Sequence, residues 1–159
     1  MRIKWFSLIR ITGLLLVLLY HFFQTIFPGG FFGVDVFFAF SGFLITALLI
    51  EEFSKNHEID LVGFFRRRFY RIVPPVVLTV LVTMPFTFLV RQDYVAGIGG
   101  QIAGVLGFMT NFYELLTGGS YESQFIPHLF VHNWSLAVEV HYYILWGLAV
   151  WFLSKQSKS

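Results

Sequence analysis

Arg10 and His21 are the first side chains in this sequence that could do chemistry as a pair. They bracket an apolar run, RITGLLLVLLYH. Eleven helical steps of about 100° return almost to the starting face, so on a helix the two groups share one stripe about 16 Å apart. Ionisable groups in a membrane span are costly and ordinarily face a cavity or a partner. An imidazole suits proton transfer near neutral pH, and a guanidinium suits phosphate. Arg10 also lies close enough to one end of its span to snorkel to the headgroups. Asp35 is the next candidate. A carboxylate beside His21 would hold its tautomer and raise its basicity, as a general base requires, and would equally serve as a polar lock between helices.

Two further groups follow. Arg66, Arg67, Arg68 and Arg71 lie in RRRFYR, a topology determinant and contact for anionic lipid. Beside Arg10 they would form a cationic mouth for a phosphorylated cytoplasmic ligand. In HNWSLAVEVHYY, Ser135 and Glu139 stand at i, i+4 on one helix face, with Trp134 at the interface. Ser135 reads as the N-cap of a helix beginning near Leu136 ahead of any role as a nucleophile. Glu139, a carboxylate inside a span, is either functional or half of a helix–helix hydrogen bond.

These residues need membrane helices to position them. Of 159 residues, 57% are hydrophobic and only 13% charged, against about 25% charged in a soluble domain. Mean hydropathy is +0.72, which marks an integral membrane protein. The 21 Phe, 7 Tyr and 4 Trp suit a lipid-facing surface with interfacial belts. Without cysteine there is neither disulfide nor thiolate chemistry. No P-loop or Rossmann glycine pattern appears, so nucleoside triphosphates and dinucleotides are not indicated. Neither nucleic acid nor a metal is expected as a ligand.

The first span is expected from Trp5 to Phe27, closing at Pro28-Gly29-Gly30. Arg2 and Lys4 before it resemble a signal peptide, but no small-residue cleavage site follows, so it reads as a retained span. The second runs from Phe31 to Ile50 and ends at Glu51-Glu52. The third starts near Ile72, with Pro74 and Pro75 in its first turn, carries a kink at Pro85 and ends at Arg91. The positive-inside rule places the N-terminus and the arginine cluster in the cytoplasm. His21 and Asp35 then sit at similar depth, roughly 6–9 Å below the outer edge of the bilayer core. Residues 94–118 contain six Gly with Gln101, Asn111 and Glu114, and read as re-entrant or interfacial in preference to a full crossing. A last span from Leu136 to Leu153 returns Lys155 and Lys158 to the cytoplasm.

Four motifs in order resemble the membrane acyltransferase family 3, the bacterial O-acyltransferases that modify cell-surface glycans. They are Arg10-x10-His21, GVDVFFAFSGFLIT (33–46), FFRRRFYRIVP (64–74) and HNWSLAVE (132–139). The resemblance implies transfer of an acyl group, commonly acetyl, from acyl-CoA to a hydroxyl of a carbohydrate or peptidoglycan precursor. It makes His21 the leading base, with Asp35 or Glu139 as its orienter. It assigns Arg10, Arg66, Arg67 and Arg71 to the CoA phosphates, and matches Ser41, Trp134 and Ser135 to family motifs. Val140 and His141 depart from the acidic residue and Gln that usually follow the motif glutamate.

The expected fold is all-α and polytopic, with four to five membrane segments in a bacterial plasma membrane. Residues 1–153 would form the N-terminal half of the family domain, and 154–159 a short polar cytoplasmic tail. Two other readings stay open. One is a non-catalytic subunit that assembles with a separate C-terminal half. The other is a proton or solute path through Arg10, His21, Asp35 and Glu139, which lacks the inverted repeat of many transporters.

Overall fold

The computed structural model describes residues 4–23, 25–89, 95–117 and 128–156, and the side chains of 4–7 and 10 lie outside that description. Among the described residues regular structure is entirely helical. Three helical stretches, Pro28–Asn56, Leu61–Leu89 and Val131–Gln156, are long and apolar enough to cross a membrane, and Ile11–Phe22 is a shorter apolar helix. The protein is an all-α polytopic membrane protein. It divides into two compact units, Met1–Lys55 and Asn56–Ser159.

In the first unit, α1 (Lys4–Phe22) ends five residues short of the expected Phe27. The residue before a proline is disfavoured in the α region. Phe27 accordingly has φ −123° and ψ 58°, ahead of a 3-10 turn, Pro28–Phe31. That turn feeds directly into α2 (Phe32–Asn56). Two glycines allow the chain to return along α1. A Cβ on Gly30 would collide with the Leu16 carbonyl and come within 2.8 Å of Tyr20 Cβ. A Cβ on Gly33 would stand 2.6 Å from the Gly13 carbonyl oxygen, while Gly13 itself faces the Phe37 ring. This is a small-residue helix contact, in which backbones approach because side chains are missing. At its far end α2 outruns the expected Ile50, because Glu51 and Lys55 stop the apolar run without stopping the helix. They form an i, i+4 ion pair of 2.6 Å.

In the second unit, α3 (Leu61–Thr83) begins eleven residues before the expected Ile72. Asp60 caps it, its carboxylate accepting from the Gly63 N–H at 2.8 Å. The arginine cluster is therefore on the helix and not in a loop, which suits a straight-chain helix former. Pro74 and Pro75 lie in the helix interior instead of its first turn. Lacking N–H groups, they leave the carbonyls of Tyr70 and Arg71 without their usual intrahelical donors. Pro85 acts as expected: the α-helix gives way to a 3-10 segment, Met84–Leu89.

Residues 94–118 do not form one helix. The described part is a hairpin of α4 (Ile98–Leu106) and α5 (Thr110–Thr117). At about 1.5 Å per residue each is roughly 12–14 Å long, under half of a hydrocarbon core of about 30 Å. Gly100 lets them meet, since a Cβ there would be 2.7 Å from the Tyr113 ring. A last 3-10 turn, Val131–Asn133, leads into α6 (Trp134–Gln156). Val76 and Val80 of α3, Val105 of α4 and Phe130 form the core of this unit.

If the glycine contact closes the first hairpin, Gly33→Ala should destabilise the detergent-solubilised protein by about 1–3 kcal/mol. Gly29, which has nothing within 4 Å of its missing Cβ, should tolerate alanine. Thermal melts of the two variants should differ, and equal melting temperatures would contradict the assignment.

Candidate functional site

Of the expected catalytic residues, His21 lies in the last turn of α1 and Asp35 in the first turn of α2. The hairpin does not bring them together. Gly33 and Phe37 face α1 at Gly13, and Asp35, two residues from each, points about 200° away. Asp35 is exposed and makes no hydrogen bond or ion pair among the described residues. The similar depth inferred from sequence assumed that α1 continues to Phe27. The return at Gly30 sets Asp35 nearer the Gly13 level. His21 is exposed and has Tyr20 beside it, ring centroids 6.4 Å apart. Ser41 is half-buried on α2. Arg10 shares the unbroken helix with His21, and its side chain is outside the described residues.

In the second unit, α3 and α6 enclose a groove of about 690 Å³, with Phe108 of the α4–α5 turn completing its wall. Val62, Phe65, Arg66, Phe69, Ile72 and Val73 supply one face of α3 to it, the i, i+3, i+4, i+7 stripe of a helix. The arginines are thereby divided. Arg66 borders the groove, whereas Arg67 and Arg71 are exposed and do not line it. Arg68, in the cluster but not among the arginines that the resemblance assigned to phosphate, is its half-buried member. Its guanidinium lies 5.7 Å from the Phe64 ring centroid and 5.5 Å from that of Tyr143, within cation–π range.

Tyr143 in turn donates its hydroxyl hydrogen to the Glu139 carboxylate. Arg68, Tyr143 and Glu139 therefore follow one another beside the groove. Ser135 is the second residue of α6 and not its N-cap, because the 3-10 turn starts the helical path earlier. Its hydroxyl donates to the His132 carbonyl at 3.4 Å. Trp134 opens α6 and is half-buried. His141, one of the departures from the family motif, packs against Phe112 with centroids 5.5 Å apart.

A second polar group was missed by the sequence. His128 Nδ1 and Glu114 Oε2 are 2.7 Å apart, with side chains only 5% and 8% exposed. Gln101 binds both sides of this neighbourhood, donating to the Ala96 carbonyl at 2.8 Å and accepting from the Phe130 N–H at 3.3 Å. Spacing gave no signal for the pair, because its members are fourteen residues apart and only the tertiary fold joins Glu114 of α5 to His128 ahead of α6. Among the described residues no group of three metal-ligating side chains comes together.

Residues 3–159 match the family model of acyltransferase family 3, described as an acyltransferase domain. The chain is 32% identical over 150 residues to the O-acetyltransferase OatA of Staphylococcus aureus strain NCTC 8325 / PS 47, covering 94% of this chain and 25% of that protein. OatA of strain COL is similar to the same extent, 32% over 150 residues. The chain thus spans about a quarter of the length of these curated relatives. No solved structure matches it.

Tyr143→Phe isolates the hydroxyl's part in the Arg68–Tyr143–Glu139 series, since it keeps the ring under the guanidinium. The variant should lose about 1–3 kcal/mol of stability, read as a lower melting temperature, while Tyr142→Phe should melt like the parent.

Proposed function

The chain belongs to acyltransferase family 3, and on that premise we propose that it takes part in moving an acyl group, acetyl in the first instance, from acyl-CoA to a hydroxyl of a cell-surface carbohydrate or peptidoglycan precursor. The observation that carries this reading is the apolar groove bordered by Arg66 and Arg68 beside the Tyr143–Glu139 hydrogen bond. A guanidinium in the lining of an apolar cavity suits a ligand that carries both phosphate and a less polar arm. Arg67, Arg71 and Arg10 are assigned to the same phosphates by their places in the family motifs.

The base assigned by the motif is His21. Its imidazole takes the proton of the acceptor hydroxyl, the oxygen bonds to the thioester carbonyl carbon, and the C–S bond breaks. The CoA thiolate leaves and is protonated to the thiol. Holding donor and acceptor in line and placing a hydrogen-bond donor at the developing oxyanion supply most of the acceleration. The family motifs offer Asp35 or Glu139 as the orienting carboxylate. With Asp35 turned away from α1 and Glu139 engaged by Tyr143, Glu139 is proposed to act through Tyr143, and Asp35 from its own face of α2. The membrane is proposed to be the bacterial plasma membrane, with the N-terminus cytoplasmic, which sets the arginines on the side where acyl-CoA is made.

The family membership favours acyl transfer over a transport path through the same ionisable residues.

In cells that O-acetylate their surface glycan through this protein, His21→Ala should lower ester release by at least about 100-fold. Arg66→Ala should raise KM for acyl-CoA about tenfold, the loss of one charge-assisted contact. Undiminished ester in the His21 variant would overturn the assignment of the base. An unchanged KM would remove the donor from the groove.

A further inference from the structure

Asp60 caps α3 with one carboxylate oxygen, Oδ1, which accepts from the Gly63 N–H at 2.8 Å. Its other oxygen has a different neighbour. A Cβ on Gly63 would collide with Asp60 Oδ2 and would also stand 3.1 Å from Arg67 Nη1. The bare flank of Gly63 is therefore shared by the second oxygen of the cap and the end of a guanidinium. Helical side chains lean toward the N-terminus, so a residue covers the turn before its own. Arg67 accordingly reaches back over Gly63 toward the cap. Gly63 is buried, although Asp60 and Arg67 are both exposed.

Glycine inside a helix costs roughly 0.5–1 kcal/mol relative to alanine. Here its missing side chain admits the carboxylate and the guanidinium to one place. The carboxylate answers two unfavourable terms at Arg67. A cation near a helix N-terminus is opposed by the macrodipole, and Arg71, at i, i+4 from Arg67, adds a like charge on the same face. Order at Arg67 also matters for a ligand. A free arginine side chain carries about 2 kcal/mol of rotamer entropy, and fixing it before the ligand arrives lowers the cost of binding. Arg66 borders the groove, and Arg67 follows it about 100° around the helix.

We propose that Asp60 is a positioning residue for phosphate recognition: Oδ1 caps α3 while Oδ2 holds Arg67 over Gly63. The proposal rests on the acyl-transfer reading for its ligand, the phosphates of the acyl donor. The contact between Asp60 and Arg67 is independent of that reading. Asp60 itself, an anion, touches no phosphate.

Asp60→Asn separates the two tasks, because asparagine caps a helix as well as aspartate does but brings no charge to Arg67. Melting temperature and CoA affinity, the latter by titration calorimetry, are read on the detergent-solubilised chain for Asp60→Asn, Arg67→Gln and the double variant. Asp60→Asn should lower the melting temperature more in the parent than in the Arg67→Gln background. It should weaken CoA binding about threefold and Arg67→Gln about tenfold, with the double variant no weaker than Arg67→Gln. Asp60→Ser, a second strong cap without the charge, should repeat the Asp60→Asn result. Equal losses of melting temperature in both backgrounds would overturn the contact. Parent-like CoA affinity in Asp60→Asn would overturn the positioning role and leave Asp60 a helix cap. Failure of the acyl-transfer reading shows differently: the parent then binds no CoA, which removes the positioning role with its ligand, while the melting temperatures still couple Asp60 to Arg67.

Discussion

Hydrocarbon offers no partner to a backbone amide, and this one constraint shapes most of the chain. Every N–H and C=O at membrane depth must find its bond inside the protein, so the apolar stretches become helices long enough to keep their polar backbone to themselves. The three long helical stretches meet it directly. The interesting places are those where the constraint is met another way. At Pro74 and Pro75 two donors are missing from the middle of α3. At Pro85 the helix tightens to 3-10 geometry. Between α4 and α5 the backbone turns altogether, with Phe108 held at φ 54°.

Close backbone approach is the second organising feature. Without a hydrophobic drive between helices in lipid, packing depends on how near they can come. Gly13 and Gly33 bring α1 and α2 together, and Gly147 admits Phe64 of α3 against α6, where a Cβ would stand 3.0 Å from the ring. Such contacts set register as well as distance. Because Gly33 and Phe37 use the α1-facing stripe, Asp35 cannot; because Phe65, Phe69 and Ile72 use the groove-facing stripe of α3, Arg67 and Arg71 cannot. The chemistry of these helices is partitioned by the side chains that pack them.

The elements were largely legible in the sequence, their ends much less so. Hydropathy located the spans, since transfer into lipid is a sum over residues, and Pro85 announced its own break. It misplaced the start of α3, because the window counts charge while a helix responds to a cap at Asp60 and to arginines that are good helix formers. The same difference hid the continuation of α2 through Glu51 and Lys55. The shared helix of Arg10 and His21 followed from spacing alone, as 3.6-residue periodicity requires.

What the sequence by itself determined is the class of the protein, its helical stripes, its family and the residue types open to acyl-transfer chemistry, all local or additive properties of the chain. The tertiary structure alone decided which of those residues meet. It set Arg68 over Tyr143 and Tyr143 on Glu139, turned Asp35 from α1, and joined Glu114 of α5 to His128 ahead of α6. Contacts of that kind depend on where backbones cross and how closely they approach, and the presence or absence of a single Cβ settles the crossing without leaving a periodic trace.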